Sequence, residues 1–419
     1  MEEKIKVLVL SDHPLSPSGV GIQTKNMIDA MLQTGKYKFV CLGGAIKHAD
    51  YRPLKTEEWG DDFVVYPIDG YGSPDQIRSL LRAERPNLLW FMTDPRFWGW
   101  LWQMEDEIRP LVPMVYYHVW DNFPAPTYNR PWYESTDVIA CISKVTKGVV
   151  DEVVPEHGDV SYLPHSVDTD IFCKLPAENV TAQRLGNFPD SENKTIFLFN
   201  SRNARRKQSG SLIFWFNAFL NKVGRDEALL VMHTDPKDPH GQDLEAIIEL
   251  LDLKEKVMLS RDKLPPESMA VLYGMADCTV SISDAEGFGL STLESLATET
   301  PIIVTMTGGL KEQVTDGENW FGVGIEPASR AIIGSQDIPW IYEDRVSEES
   351  VVAAMEKIHN MGSEEREMLG HMGRQHVLKN YNFQKYAESW DKLLTHVVKK
   401  FGSWDTRKNY KSWNISEVK

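Results

Sequence analysis

The segment CTVSISDAEGFGLSTLESLATETPIIVTM, residues 278–306, decides how this chain is read. It opens with CTVSIS, a short apolar run with β-branched residues, as expected of a strand buried on both faces. Gly287 and Gly289 break that run into a tight turn. LSTLESLA then places apolar residues at helical spacing, with Ser291 or Thr292 near its N-cap. PIIVTM returns as another strand. Such a strand, glycine turn and helix point unpaired backbone amides and the positive helix end at one place, a natural seat for phosphate.

Two carboxylates flank that seat, Glu286 in the turn and Glu294 about one turn into the helix. This is an odd frame for a simple phosphate receptor. It suits a ligand carrying hydroxyls on both sides of a diphosphate, which is the form of a nucleotide sugar. One glutamate would accept from sugar hydroxyls and the other from ribose hydroxyls.

The same alternation extends outward in both directions. TIFLFNSR, ALLVMHTD and KVMLS read as strands, separated by the helical stretches GSLIFWFNAFLNKV, LEAIIELLDL and ESMAVLYGMA. Nearer the N-terminus, KIKVLVL (4–10), KFVCLGG, LLWFMT (88–93), MVYYHVW (114–120) and VIACIS (138–143) read as strands. IQTKNMIDAMLQTG, PDQIRSLLRAE and KVTKGVVDEVV read as helices between them. Around 164–195 proline, asparagine and charge loosen the pattern. The expectation is α/β, with two Rossmann-like doubly wound domains over 1–178 and 179–380, and a helix and tail over 381–419 that pack back on the first. Ligands of open α/β sheets bind at the carboxyl ends of the strands, which places the site in a cleft between the domains.

A length of 419 residues fits two domains, and 42% hydrophobic with 25% charged residues is ordinary globular composition. A net charge of −16 argues against a surface that binds DNA or anionic lipid as a whole. Cys41, Cys141, Cys173 and Cys278 are scattered with no CxxC pair, which fits a reducing cytoplasm. No stretch has the length of a membrane span or the form of a signal peptide, so the sequons at Asn179 and Asn193 carry little weight.

The motif EGFGLSTLE with the downstream TGGLKEQVTDGENWFGV resembles the donor-site signature of retaining glycosyltransferases of the GT-B fold. The group in question is the large bacterial and plant family that includes sucrose synthase and phosphatidylinositol mannosyltransferase. SRNARRK resembles that family's Arg-x4-Lys, YLPHSVDTDIF its interdomain link, SPSGVG its N-terminal glycine loop and YNFQKYAESWDKLL its last helix. The resemblance implies that Arg202 and Lys207 bind the donor diphosphate, that Glu294 holds ribose and that Glu286 contacts the sugar. It implies donor contacts from Phe288, Gly289, Leu290 and Ser291, and from Gly19 in the glycine loop, where Ser18 replaces a frequent glycine. His118 matches a histidine near the sugar, with Trp120 and Asp121 on the acceptor side.

The implied activity is retaining, metal-independent transfer from a nucleotide sugar, with UDP the commoner base. No cofactor is required beyond that donor. The acceptor is left open among glycan, lipid, small molecule and modified nucleic-acid base, and peripheral membrane contact is not favoured. A nucleotide-sugar epimerase of the same fold and a catalytically silent nucleotide-sugar-binding protein are the alternatives. Asp168-Thr-Asp170 mimics a metal-binding pair but reads as turn chemistry. His233, Asp235, Asp238 and His240 form a polar loop broken by prolines, with no metal expected. Arg205 and Arg206 read as surface. The tryptophans of 90–104 read mostly as core, and the basic tail of Lys399, Lys400, Arg407, Lys408 and Lys411 as a solvated helix end.

Overall fold

The computed structural model describes residues 3–410. The chain divides into two units. Unit 1 holds the residues up to Ser166, Gly334–Pro339 and those from Phe383 onward; unit 2 holds Val167–Ile333 and Trp340–Asn382.

Unit 1 is built on strands β1 (Ile5–Asp12), β2 (Tyr37–Gly44), β3 (Leu54–Lys55), β4 (Phe63–Pro67), β5 (Leu88–Met92), β6 (Met114–His118), β7 (Val138–Cys141) and β8 (Val160–Tyr162). They form one sheet in the order β3-β4-β2-β1-β5-β6-β7-β8, parallel except where β3 meets β4. Leu8, Val9, Leu10, Leu89, Trp90, Phe91, Val115 and Tyr116 are all buried, because helices cover both faces. That double burial is why the strands read as continuous apolar runs.

Unit 2 repeats the scheme with β9 (Thr195–Asn200), β10 (Ala228–His233), β11 (Val257–Ser260), β12 (Cys278–Ser281), β13 (Ile302–Thr305) and β14 (Gly322–Ile325). Its sheet order, β11-β10-β9-β12-β13-β14, is the doubly wound pattern in which direction reverses between β9 and β12. A separate antiparallel hairpin comes next, β15 (Ser329–Ile333) with β16 (Ile341–Arg345).

Unit 2 begins at Val167, inside the loosened stretch 164–195 and before the boundary expected after residue 178. Val167 bridges to Asn382, and Arg374 donates to the carbonyls of Phe172 and Thr169, so the segment after Ser166 is fastened into unit 2. Asp168 accepts the main-chain N–H groups of Asp170 and Ile171, which is turn chemistry.

The last helix, Phe383–Phe401, belongs to unit 1, where Tyr386 donates to the Gln23 carbonyl and Tyr37 to Asp391. Of the basic tail, Lys399 and Lys408 are exposed, but the segment that carries them is held down. Gly402 turns the chain at φ +59°, and Trp404 donates to the Pro86 carbonyl under the Arg85 guanidinium. Lys400 pairs with Asp159. Arg407 is buried and donates to Asp137, which also pairs with Arg109, itself bonded to Glu105. Lys411 lies outside the described residues.

Candidate functional site

The loops after β9, β10 and β12 meet because those strands are neighbours around the point where the unit 2 sheet reverses. The loop after β9 carries Arg202 and Lys207. The loop after β12 carries Glu286. Lys207 forms an ion pair with Glu286, and the Arg206 guanidinium stands 3.6 Å from the same carboxylate oxygen. Both partners of the first pair are nearly enclosed. Burial alone pushes the Glu286 carboxyl up, but the charges of Lys207 and Arg206 outweigh it and hold it below the usual carboxylate range.

Arg205 and Arg206 lie at the surface, as expected, but both are tethered. Arg205 grips the buried Glu343 on β16, and Arg206 donates to the Ala285 carbonyl. The Asp344 N–H donates to the Asp284 carbonyl, so β16 braces the β12 loop as well. Asp284 itself is buried. Burial lifts its carboxyl to about 6, against a hydrogen bond from Gln208 that favours ionisation.

Arg202 takes a different partner. Its Nε and Nη2 donate to Asp238 at 2.6 and 3.1 Å, and Nη2 also reaches His240 Nδ1 at 2.7 Å. His233 and Asp235 have partners of their own. His233 Nδ1 meets the Ser260 hydroxyl, and Asp235 accepts the Lys237 amide.

The glycine turn differs from expectation in its cap. Gly289, at φ +95°, is the N-cap of the helix Leu290–Ala297, so Ser291 lies inside the first turn. Thr292 donates back to the Gly289 carbonyl. The Leu290 and Ser291 amides are among the first-turn N–H groups that have no partner within a helix. Phe288 is buried, its ring edge-on to Tyr381, so it anchors the turn.

The motif TGGLKEQ explains itself as scaffolding. Gly309 donates to the Glu286 carbonyl, and a Cβ there would lie 2.6 Å from the Phe288 Cα. Gln313, fully buried, donates to the carbonyls of Phe288 and Gly289. Glu294 is fixed by a chain the sequence reading missed: Asn200 Nδ2 donates to the Tyr273 hydroxyl at 2.6 Å, which donates to Glu294 at 2.7 Å. Burial raises the Glu294 carboxyl to about 7.

In unit 1, Gly19 opens the helix Gly19–Gln33 and is exposed, capped by Ser18, whose hydroxyl donates to Asp12. His118 departs from expectation. Its side chain is fully buried at the end of β6, on the same face as Tyr116, with ring centroids 4.8 Å apart. Nε2 bonds the Tyr133 hydroxyl, Nδ1 has no partner among the described residues, and burial holds its pKa down at about 3. The imidazole is therefore neutral and enclosed. Trp120 covers it and, with Arg96, Tyr128, Trp132 and residues 336–339 of the same unit, lines a cavity of about 310 Å³. Asp121 is next to Trp120 in the chain. Trp90, Trp98 and Trp102 are core.

Residues 187–376 match the family described as Glycosyl transferases group 1. An N-acetyl-alpha-D-glucosaminyl L-malate synthase of Bacillus anthracis is 23% identical over 188 residues, 45% of this chain and 46% of the relative. A D-inositol 3-phosphate glycosyltransferase of Geodermatophilus obscurus is 30% identical over 207 residues, 47% of this chain and 44% of the relative. The chain thus spans less than half the length of these curated relatives. Among solved structures, a sucrose-phosphate synthase of Thermosynechococcus elongatus superposes with a TM-score of 0.75 at 17% identity, covering 95% of this chain and 100% of the other. HepE of Anabaena, solved with UDP and glucose, gives 0.68 at 12% identity, covering 93% and 99%. Residues 187–376 are a Glycosyl transferases group 1 domain, and the chain that carries them has the GT-B fold.

Proposed function

We propose that the chain is a retaining glycosyltransferase that uses a nucleotide-diphosphate sugar, a UDP-sugar foremost, without a metal ion. The observation that carries this reading is the Lys207–Glu286 pair at the sheet reversal, beside the first-turn amides of Leu290 and Ser291. A diphosphate bound there would take Lys207 and those amides as its positive field, the preorganised charge that stabilises a leaving anion. Arg202 adds a second cation. Glu286 is released to sugar hydroxyls and Glu294 to ribose. The bond from the anomeric carbon to the diphosphate breaks, the acceptor oxygen bonds to that carbon on the same face, and its proton passes to the departing phosphate. No enzyme carboxylate acts as the nucleophile.

Gly19 supplies an exposed helix start on the donor side in this reading. His118 acts by supporting Trp120 rather than by touching the sugar, and Trp120 and Asp121 border the acceptor. The names of the relatives mention malate and inositol 3-phosphate, both small polar molecules, and the cavity beside Trp120 suits a small acceptor or the end of a glycan.

The test is release of nucleoside diphosphate from UDP-, GDP- and ADP-sugars in EDTA, with the anomeric configuration of the sugar product read by proton NMR. One donor should be consumed with its configuration kept. Inversion, or turnover only on adding manganese or magnesium, would contradict the mechanism. Release of the diphosphate with an epimerised sugar would support an epimerase, and binding without turnover a silent receptor.

Glu294 adds a pH prediction. Its ligand-free pKa of about 7 is raised, and ribose hydroxyls need the carboxylate, so falling pH protonates the group and opposes binding. Affinity for the nucleoside diphosphate should drop about tenfold from about pH 8 to about pH 6 and level off above. Calorimetry across that range checks it, and Glu294→Gln should flatten the profile.

A further inference from the structure

Arg202 is a long side chain on a loop, with 60% of its surface exposed, yet its guanidinium is fully directed. One edge, Nε and Nη2, is spent on both oxygens of Asp238, and Nη2 makes a further bond to His240. Asp238 is itself fixed. Only 11% of its side chain is exposed, and it accepts the main-chain N–H of His240. The loop bearing these two residues is welded to the loop bearing Arg202. The Arg205 N–H donates to the His240 carbonyl, and Asn203 donates to the Gln242 carbonyl while accepting from Ser209. A Cβ at Gly241 would lie 2.1 Å from the Asn203 carbonyl oxygen, so the close approach requires glycine there. The remaining nitrogen, Nη1, makes none of these bonds. A bidentate carboxylate on one edge of a planar guanidinium fixes the direction of the other donors.

We infer that Asp238 and His240 are positioning residues that form a socket for Arg202 and aim its Nη1 edge at the donor's diphosphate. This rests on the reading of Arg202 as a diphosphate ligand. The socket gives the second half of the segment HTDPKDPH a role: it orients a cation supplied by the neighbouring loop. A carboxylate so close to a phosphate-binding arginine has two opposite readings. As a rival anion it weakens donor binding, and as a brace it strengthens it. The sign of one substitution separates them.

UDP, GDP and ADP are titrated calorimetrically in EDTA into the full chain and into Asp238→Asn, Arg202→Ala and the double variant, with thermal melts alongside. The socket predicts that Asp238→Asn binds the preferred diphosphate about tenfold more weakly than the parent, and that the same change costs nothing further once Arg202 is alanine. His240→Asn, which keeps an acceptor near the place of Nδ1, should bind like the parent, and His240→Ala should bind less tightly. Tighter binding by Asp238→Asn would identify Asp238 as a competitor and overturn the socket. An equal loss in the Arg202→Ala background would make the loop merely structural and also overturn it. Should Arg202→Ala leave affinity unchanged, the assignment of Arg202 itself fails. Should no diphosphate bind the parent, the donor reading fails and the socket with it.

Discussion

Lys207→Ala is expected to lower the rate of sugar transfer by about 10²–10³-fold, the usual cost of removing one preorganised charge from a site where negative charge develops. Two effects combine. The leaving diphosphate loses its most enclosed cation. Glu286 then remains nearly buried with only Arg206, 3.6 Å away, to offset its charge, so an incoming phosphate meets a carboxylate with no nearer counter-ion. Lys207→Arg keeps the charge but replaces a compact ammonium with a planar fork in an enclosed place, and should recover only part of the rate. Steady-state kinetics with the preferred donor checks this. The drop belongs mainly in kcat if the contact strengthens as the diphosphate departs, and in KM if it is made equally to the bound donor. A loss of less than about threefold would remove Lys207 from the mechanism.

Asp137→Ala should destabilise unit 1 by about 3–5 kcal/mol, the range for breaking a buried ion pair from one side. Asp137 is almost fully buried and accepts from Arg109, from Arg407 and from the Met114 amide. Its loss would leave the enclosed Arg407 guanidinium without its carboxylate and Arg109 with Glu105, and would free the chain segment that carries Trp404 and Arg407. Denaturant titration monitored by tryptophan fluorescence measures the loss, and Arg407→Met, which removes one charge and keeps the stem, should cost less. Equal midpoints for the parent and Asp137→Ala would mean that the tail contributes little to unit 1.

Both predictions depend on how far the sequence could be read. The two alternating α/β patterns were legible because helices cover both faces of each sheet, which leaves β1, β5, β6, β9, β10 and β12 as uninterrupted apolar runs. Lys207 and Glu286 were each marked by a resemblance, with separate roles; their ion pair was not foreseen, and the sheet order gives its physical reason, since the two loops leave adjacent strands. The supporting residues were hidden. Asn200, Tyr273, Gln313 and Glu343 are ordinary polar residues whose roles come from contacts between 21 and 138 positions apart in the chain, a distance that no local spacing encodes. His118 shows how a strand register sets a side chain's surroundings. A histidine at a strand end matched a functional position, but the alternation of Tyr116 and His118 along β6 turns both rings into the aromatic layer with Tyr133. Arg407 misled for a related reason: net basic composition says nothing about one buried carboxylate waiting in unit 1.

The central claim, a metal-free nucleotide-sugar site framed by Arg202, Lys207, Glu286 and Glu294, is tested most directly by calorimetric titration of UDP-, GDP- and ADP-sugars in EDTA, wild type beside Arg202→Ala. The account predicts that one donor binds the wild type without metal and that the variant loses about tenfold or more in affinity. Binding that appears only with manganese or magnesium, or that survives intact in the variant, would contradict it.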